Sequence, residues 1–470
     1  MIDKRWLAFA VLCLGDLMIV LDMTVVNVAL PSIKEALGFS DAALVWVVNA
    51  YLLTFGGFLL LGGRLGDLYG QRRLFLAGLG IFTAASLLCG IADSQTTLIV
   101  ARAIQGVGGA IASAIALALV INMFPDHAER AKAMGIFGFI MAGGGSVGVL
   151  LGGFLTAIDW HWNFLINLPI GAAVYVASLY LLPALPGAAK GERLDYWGAI
   201  AVTLSLLLAN YAIIGGNAAG WTSLQTLLLF AGAAALFTLF VFIETRAKHP
   251  LMPLSLFRLR NLSVASIAGV LWAAAMFAWF FFSALYMQSV LGYSPREVGL
   301  AFLPANIIMA IFSVWLSAKV VMRFGVRIPI ALGLGLASLG LLLLVRAPLD
   351  ASFWIDIFPS MVLLGLGAGM AFNPVLLAAM GGVPEHESGL ASGVVNTAFM
   401  MGGSVGLAVL ASTASFSTSK ALASGASALE ALNSGYHIAF LIGAIFAGIA
   451  AGLGFLLKES SGESSPHPAH

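Results

Sequence analysis

Three charged residues, Asp16, Asp22 and Arg102, lie well inside the long apolar stretches of this 470-residue chain. A charge placed in hydrocarbon costs about 3 kcal/mol or more, so such residues usually face a cavity, pair with each other, or carry ions and protons. An acid and a base of these types can form an ion pair that breaks when the acid is protonated. Their types and positions therefore predict the working parts of a membrane transporter.

Asp22 and Arg102 are predicted to lie at similar depths in two neighbouring helices. At a rise of about 1.5 Å per residue, Asp22 is about 12 Å from a helix end near Leu30, and Arg102 is about 7 Å from a helix start near Thr97. We therefore expect an ion pair that couples proton movement to transport. The alternative is a static structural bridge, although buried pairs are weak stabilisers and need another reason to persist.

Asp16 lies on a different face of the same predicted helix. Six residues separate it from Asp22, which rotates it by about 120° at 3.6 residues per turn, while Met23 and Asn27 return to within about 20° of its face. We expect Asp16, Met23 and Asn27 to line one stripe of a cavity, with Asp16 as a second protonation site or a contact for a cationic substrate. The alternative is a permanently protonated side chain bonded to a neighbouring helix.

The composition indicates a polytopic membrane protein. Hydrophobic residues make up 61% of the chain and charged residues 9%, whereas soluble domains carry about 25% charged residues. A net charge of +1 provides no basic field that would attract nucleic acid. Cys13 and Cys89 both lie in apolar segments, so we expect no disulfide framework, no metal site and no cofactor.

The helices and their sidedness follow from apolar length and charge. Fourteen stretches reach the roughly 20 residues that span a bilayer. With both termini placed inside, 17 Lys and Arg residues fall in inner loops and four in outer loops, which is the asymmetry expected of cytoplasmic loops. The first stretch is too long for a signal peptide. We predict a multi-pass protein of the cell inner membrane with both termini in the cytoplasm.

The chain also resembles itself at a displacement of about 255 to 259 residues. The clearest match is GGSVG, found at Gly144–Gly148 and at Gly402–Gly406. Two parallel six-helix halves with the substrate site between them, and an inserted helix pair expected to act as a spacer or lipid contact, explain this displacement. The predicted segments are 1–186 for the N-terminal half, 187–258 for the inserted pair and its cytoplasmic connections, 259–458 for the C-terminal half, and 459–470 for a disordered cytoplasmic tail.

One loop motif resembles that of the major facilitator superfamily. The segment GRLGDLYGQRR, from Gly63 to Arg73, is similar to the family's Gly-x-x-x-Asp-x-x-Gly-x-Arg pattern between helices 2 and 3. The resemblance implies a conformational latch formed by Gly63, Asp67, Gly70 and Arg72. A plain positively charged turn is the alternative, and Leu68 stands where the family has a further arginine.

Other motifs resemble the fourteen-helix drug:proton antiporter branch of that family. Four segments carry the likeness, at 21–31, 160–171, 291–304 and 396–410. The segment LIVARAIQGVGGA resembles the fourth-helix motif, which implies that Arg102 is tied to proton movement. The fifth-helix antiporter motif is matched by glycines, although Val149 replaces its proline. In the segment at 160–171, His161 stands between two tryptophans where the branch usually has an arginine. The matching glycines, which are expected to allow close helix packing, are Gly144, Gly148, Gly152 and Gly153.

The signal for a substrate cavity is diffuse. Polar and aromatic side chains at a plausible depth are its candidates, while core packing and lipid contact remain the alternatives for the aromatic ones. The candidates are Met23, Asn27, Asn49, Tyr51, Asn210, Tyr211, Trp279, Gln288, Asn306, Asn373 and Asn396.

These patterns predict an all-α major facilitator fold with fourteen transmembrane helices that exports amphipathic organic compounds or drugs in exchange for protons. Asp22 is expected to carry or gate the proton, Arg102 to tune it, and Asp16 to assist. The predicted partners are a small amphipathic substrate, protons and membrane lipid, with the chain acting as a monomer and not as an enzyme. The alternatives are a dedicated exporter of one natural metabolite or lipid, a proton symporter and, least favoured, a membrane sensor or scaffold.

Overall fold

The structure is a computed structural model that describes residues 4–124, 126–183, 195–247, 250, 252, 254–381, 383 and 388–458. All regular elements in these ranges are helical. The α-helices in chain order are α1 (Lys4–Leu37), α2 (Asp41–Leu44), α3 (Trp46–Tyr69), α4 (Gln71–Gly90), α5 (Gln95–Met123), α6 (His127–Ile158), α7 (Trp162–Leu165), α8 (Asn167–Leu181), α9 (Tyr196–Ala219), α10 (Leu224–Arg246), α11 (Arg260–Leu285), α12 (Pro295–Ala301), α13 (Leu303–Ile311), α14 (Ser317–Phe324), α15 (Arg327–Leu344), α16 (Phe358–Met380), α17 (Ser388–Ala423) and α18 (Ala428–Gly454). A 3₁₀ turn occupies Leu254–Arg258, and π-helical turns occupy Tyr286–Val290, Phe312–Leu316 and Phe353–Ile357.

Twelve helices of the described residues are long and apolar enough to cross a membrane. The sequence predicts fourteen spans, so two predicted spans are not among these twelve. One coincides with α6, in which the apolar helix Val147–Ile158 is short. The other coincides with the helical run from α12 to α14, which a π turn interrupts.

Polar side chains at loop edges begin several helices. The side chains of Ser294 and Ser427 each accept a hydrogen bond from a backbone N–H of the first turn. In return, the carboxylates of Glu297 and Glu430 accept a hydrogen bond from the backbone N–H of the same serine. Such capping boxes satisfy N–H groups that have no partner within the helix. They fix where α12 and α18 start.

Two equivalent turns support the internal repeat. Gly70, between α3 and α4, has φ 95°, and Gly325, between α14 and α15, has φ 69°. Residues with a Cβ atom rarely adopt such positive φ values, which explains why both positions hold glycine. An arginine follows two positions after each of these glycines, Arg72 after Gly70 and Arg327 after Gly325.

Helix packing also repeats along the chain. Helix α1 packs along α6 as α11 packs along α17, and α4 packs on α5 as α15 packs on α16. These contacts divide the helices into two sets, one from α1 to α8 and the other from α11 to α18. The two sets meet where α3 contacts α17 and where α6 contacts α12 and α13. Each half therefore presents equivalent helices to the other.

The inserted helices α9 and α10 pack against each other, and α9 also contacts α3 and α17. Helix α9 thus lies across a junction between the two sets of helices, in addition to connecting them. The predicted boundary near residue 186 and the tail at 459–470 lie outside the described residues.

Candidate functional site

An ion pair lies in the interior of the helix bundle. Arg102 Nη1 of α5 is 2.5 Å from Asp22 Oδ2 of α1, and both side chains are about as buried as any in the structure, at 1% and 0% exposed. Arg102 Nε also donates to the Val47 carbonyl of α3 at 3.0 Å. The two residues that the sequence places at similar depths are therefore in direct contact.

Neutral polar side chains complete a network around this pair. Gln105 donates to Asp22 Oδ1 at 2.8 Å and accepts from Arg102 Nη1 at 2.6 Å. Asn167 of α8 donates a second hydrogen bond to Asp22 Oδ1, also at 2.8 Å. Ser86 of α4 accepts from Gln105 at 2.8 Å and from Asn167 at 3.4 Å. Side chains from α1, α4, α5 and α8 thus converge on one carboxylate.

Two aromatic rings cover the guanidinium group. The Cζ atom of Arg102 lies 4.3 Å from the centroid of the Tyr51 ring and 5.7 Å from that of Phe164. A cation over an aromatic face gains about 2 kcal/mol or more when the site is desolvated. The rings hold Arg102 in place without supplying a competing negative charge.

This geometry can couple protonation to helix movement. Both oxygens of Asp22 accept hydrogen bonds. A proton on Asp22 would remove the charge that attracts Arg102 and would convert one acceptor into a donor. Because the network joins side chains of α1, α4, α5 and α8, a proton at this one carboxylate alters contacts among these helices.

Asp16 lies near this network but outside it. Its side chain is 1% exposed and neither carboxylate oxygen has a hydrogen bond of normal geometry, although it faces Ser113 of α5. Met23 is half-buried, and the buried Asn27 donates to the carbonyl oxygens of Met23 and Thr24 in its own helix. Asp16 is therefore the acid of this stripe, and the polar side chain that faces it is Ser113 of α5.

The glycines of α6 form a close contact between helices. Those that face α1 are Gly144, Gly148 and Gly152. A Cβ atom on Gly152 would lie 2.8 Å from the Val25 carbonyl oxygen. Gly153 faces the other set of helices, because its Cβ would lie 2.7 Å from the Pro295 carbonyl oxygen of α12. Neighbouring glycines of this motif thus contact both halves.

The predicted latch residues lie around the turn between α3 and α4. Gly70 is buried and occupies the turn, and Gly63 lies a few residues earlier on α3. Arg72 donates to the Leu179 carbonyl near the end of α8. In the second half, Arg327 Nη2 donates to the Phe455 carbonyl at the end of α18. The side chain of Asp67 lies outside what the structure describes.

Three predicted cavity residues lie at the junction of α3, α9 and α17. The Asn49 amide donates to Asn210 Oδ1 at 3.1 Å and to the Ser404 carbonyl at 3.0 Å, and all three residues are fully buried. Tyr211 is 52% exposed and its ring lies 6.3 Å from that of Trp46. The structure places Asn49 and Asn210 between helices, whereas about half of Tyr211 is exposed.

The other predicted cavity residues are spread over the second half. Gln288 donates to the Val28 carbonyl at 2.9 Å, and Asn373 donates to the Ser313 carbonyl at 3.3 Å. Trp279 and Asn306 are buried, whereas Asn396 is half-buried and bonds within its own helix. The structure therefore does not bring the whole predicted set together.

The loop before α7 carries another acid–base contact. Asp159 Oδ1 lies 2.5 Å from His161 Nδ1. Hydrogen bonds from the His161 backbone and side chain lower the pKa of Asp159 below its usual value. The Trp160 ring stacks on the His161 ring with centroids 3.7 Å apart. These contacts order an exposed loop at the end of α6.

Sequence reasoning did not single out Gln105, Asn167 or Ser86. Gln105 lies one turn after Arg102 within a motif already recognised, and Asn167 lies within the motif that begins at Trp160. The positions of Gln105 and Asn167 within these motifs were the signal by which the sequence could have identified them. Ser86 offers no such signal, since a serine in an apolar helix is common.

No group of three or more potential metal ligands occurs in the ranges described.

A bundle of membrane-length helices that surrounds a buried acid–base pair defines a membrane transport protein. The profile of the Major Facilitator Superfamily matches residues 12–407, and the chain belongs to this family.

Several relatives share most of their length with it. The chain is 36% identical to the puromycin resistance protein pur8 of Streptomyces alboniger over 471 residues, covering 98% of this chain and 93% of the relative. It is 35% identical to the cephamycin export protein CmcT of Amycolatopsis lactamdurans, covering 88% and 85%. It is 37% identical to the multidrug resistance protein Stp of Mycobacterium tuberculosis, covering 85% and 74%.

Solved structures share the fold. A bacterial homologue of the human lysosomal transporter Spinster, in an inward-facing and unoccupied conformation, matches with a TM-score of 0.65 at 16% identity over 97% of both chains. A proton-dependent oligopeptide transporter matches with a TM-score of 0.66 at 16% identity, over 96% of this chain and 98% of the other. At these identities the likeness concerns the fold alone.

Proposed function

We propose that this transporter exports amphipathic organic compounds, antibiotics among them, in exchange for protons. Relatives named for resistance to puromycin and methylenomycin A, for cephamycin export and for multidrug resistance support the substrate class. The observation that carries the proton coupling is the buried pair of Asp22 and Arg102. Asp22 takes up the proton, Arg102 favours its release, and Asp16 is a second site on the same helix.

The membrane arrangement belongs to the same proposal. In this arrangement the chain is a monomer of the cell inner membrane with both termini in the cytoplasm. It has fourteen transmembrane helices, with α6 and the run from α12 to α14 added to the twelve that length and apolarity identify. Two six-helix halves then alternate around a central site. The contacts of Gln288 with Val28 and of Gly153 with α12 lie at the predicted outer end and join the two sets of helices there.

The test is transport in proteoliposomes with an imposed pH gradient and an internal pH dye. The compounds are puromycin, a set of other cationic amphiphiles and a set of neutral ones. Asp22→Asn is expected to abolish proton flux driven by the compound while binding remains, because the neutral amide cannot carry a proton. The matched control is Asp93→Asn on an exposed loop, which is expected to transport normally.

Concentrative export by Asp22→Asn would contradict the proposal. Because this variant leaves Arg102 buried without a counter-charge, Asp22→Glu provides a second measurement. It keeps a carboxyl group and is expected to retain part of the flux.

A second candidate is export of one natural metabolite. A relative named for cephamycin export and one named as a probable actinorhodin transporter favour it. Proton flux with a single compound out of the set would select this candidate.

A further inference from the structure

Two hydrogen bonds between the described residues run from one set of helices to the other. Gln288, in the π-helical turn after α11, donates to the Val28 carbonyl of α1 at 2.9 Å. Asn49, in the first turn of α3, donates to the Ser404 carbonyl of α17 at 3.0 Å. Val28 lies in the last part of α1 and Asn49 follows shortly after α1 ends, so both bonds lie at the predicted outer end. Both must break when the two sets separate there.

The Asn49 amide uses both of its N–H groups at this junction. Besides the bond to Ser404, it donates to Asn210 Oδ1 of the inserted helix α9 at 3.1 Å. An amide nitrogen of this kind carries two donors, so neither is left over. All three residues are fully buried. One side chain therefore joins α3 to a helix of the other set and to a helix of the inserted pair.

Helix α9 turns a polar face toward this junction. Thr203, Asn210 and Asn217 are spaced by seven residues, which is close to two helical turns. A Cβ atom on Gly57 of α3 would overlap the Thr203 hydroxyl group, and Asn217 donates to the Ser412 carbonyl of α17 at 2.6 Å. The polar face of α9 thus contacts both α3 and α17.

The attachments of α9 lie on either side of Asn210. Two turns toward the predicted inner end, Thr203 packs on α3 at Gly57. Two turns toward the predicted outer end, Asn217 bonds to α17. Helix α9 therefore stays attached to both helices when Asn49 leaves Asn210 and Ser404 during opening of the outer end.

We propose that Asn49, Asn210 and the Ser404 carbonyl form a brace that holds the outer end of the transporter closed. The inserted helix α9 then takes part in alternating access instead of serving as a spacer. This proposal rests on the proposed function and names positioning residues for its conformational cycle. When the outer end opens, Asn49 leaves both of its acceptors and α9 stays with α17 through Asn217.

The brace predicts a graded effect of substitutions on the ratio of open to closed molecules. One hydrogen bond between membrane helices changes such a ratio about threefold on average. Asn49→Leu removes two bonds from the closed conformation and is expected to raise the ratio about eightfold, whereas Asn210→Leu removes one and is expected to raise it about threefold. The double variant is expected to match Asn49→Leu, because a leucine at position 49 makes no bond to position 210.

Val149→Cys reports the opening from a different contact between the two sets. Val149 is fully buried on α6 one turn before Gly153, and its carbonyl oxygen would lie 3.1 Å from a Cβ atom on Gly299 of α12. A thiol at this position is shielded until α6 and α12 separate, and a packing defect beside position 49 does not expose it.

The measurement is the rate at which a small water-soluble maleimide labels Val149→Cys in nanodiscs. This rate is proportional to the open fraction when opening and closing are faster than the reaction. The chain without Val149→Cys measures any labelling of the buried native thiols of Cys13 and Cys89.

The matched control is Asn433→Leu. Asn433 is another buried asparagine, and its amide donates to the Ala347 carbonyl at 3.3 Å within one set of helices. This substitution also removes a buried amide, but it is expected to leave the labelling rate of Val149→Cys unchanged. Asn210→Leu provides a milder second measurement in case Asn49→Leu does not fold.

Two results would overturn the brace. One is labelling of the Asn49→Leu or Asn210→Leu protein at the rate of Asn433→Leu. The other is a double variant in which the effects of Asn49→Leu and Asn210→Leu multiply, because Asn210 would then not act through Asn49.

This readout requires no transported compound. Faster labelling in an Asn49→Leu protein whose parent exports nothing supports the brace and contradicts only the proposed function. Unchanged labelling in an Asn49→Leu protein whose parent exports puromycin in exchange for protons contradicts only the brace.

Discussion

Arg102 is held by groups that come from three parts of the chain. Its guanidinium group contacts the Asp22 carboxylate of α1, the Val47 carbonyl of α3 and the Gln105 side chain of its own helix. Burying two charges costs several kcal/mol per ion, and only good geometry with further hydrogen bonds offsets this cost. Neutralising Asp22 leaves Arg102 with neutral acceptors, so the arginine stays in place while α1 is released.

Asn167→Leu is a prediction at this scale. The substitution removes one of two donors to Asp22 Oδ1 and keeps the number of heavy atoms in the side chain. A hydrogen bond to a charged group contributes about 1.5–3 kcal/mol, and one pH unit corresponds to about 1.4 kcal/mol. The pH dependence of transport is therefore expected to move by about one to two pH units toward higher pH.

The measurement is the initial rate of proton-driven transport against pH in proteoliposomes. The control is Asn27→Leu, because the Asn27 amide bonds to carbonyl groups of its own helical turn. A profile for Asn167→Leu that overlays the wild-type profile would show that Asn167 does not tune Asp22.

At the scale of elements, glycines and amides decide which helices approach closely. Helix α6 lies so near α1 that Gly152 contacts the α1 backbone. Helix α9 is fixed to α3 and α17 through the amides of Asn49 and Asn210. Hydrogen bonds between membrane helices contribute about 0.6 kcal/mol on average, so these contacts set the register of the helices more than they stabilise the protein.

Gly152→Ala is expected to destabilise the protein by about 1–3 kcal/mol, the usual cost of overpacking. The added methyl group would lie 2.9 Å from the Val25 Cα atom and 2.8 Å from its carbonyl oxygen, and backbone atoms cannot move aside. Thermal unfolding in detergent measures the effect. Gly145→Ala is the matched control on the same helix, because its methyl group would meet Thr24 at an ordinary 3.7 Å. Equal unfolding temperatures for the two variants would show that α1 and α6 separate easily.

At the scale of the whole molecule, apolar length, the internal repeat and the family motifs predicted an all-helical major facilitator fold, and charge and depth predicted the central pair. Asp22 and Arg102 stand out because a charge in an apolar helix is rare, and helix geometry then places them together. Gln105, Asn167 and Ser86 give no such signal, since neutral polar residues are tolerated inside a bundle. Their convergence depends on the packing of four helices, which a single sequence does not specify.

The contacts of the inserted helix pair and of the predicted cavity residues also depend on helix packing that a single sequence does not specify. Neutral residues in α9 indicated a spacer, but Asn210 finds its partner only because α9 lies in register with both α3 and α17. The predicted cavity residues are spread over several helices for a similar reason, since depth alone does not determine which way a side chain faces. The repeat was easier to detect, because Gly70 and Gly325 occupy equivalent turns that favour glycine.

Alternating access requires the contact between α6 and α12 to open during each cycle. Gly153 and Arg296 lie on its two sides, and a Cβ atom on Gly153 would be 3.4 Å from the Cα atom of Arg296. The two Cα atoms are therefore no more than about 5 Å apart, at the short end of the roughly 4.4–6.8 Å that a disulfide bond spans. The Pro295 carbonyl oxygen, which would lie 2.7 Å from the new Cβ atom, must give way slightly. Gly153→Cys combined with Arg296→Cys is therefore expected to form a disulfide bond under oxidation and to hold this end of the molecule closed.

Oxidation of the double variant is expected to stop transport, and reduction is expected to restore it. Each single variant is the control for the effect of its own substitution, and the native thiols of Cys13 and Cys89 are buried, which limits competing oxidation. Transport in proteoliposomes before and after a reducing agent, with the extent of cross-linking determined by mass spectrometry, gives the result. Undiminished transport by fully cross-linked protein would mean that α6 and α12 stay together throughout the cycle, and the halves would then have to move about this contact instead of across it.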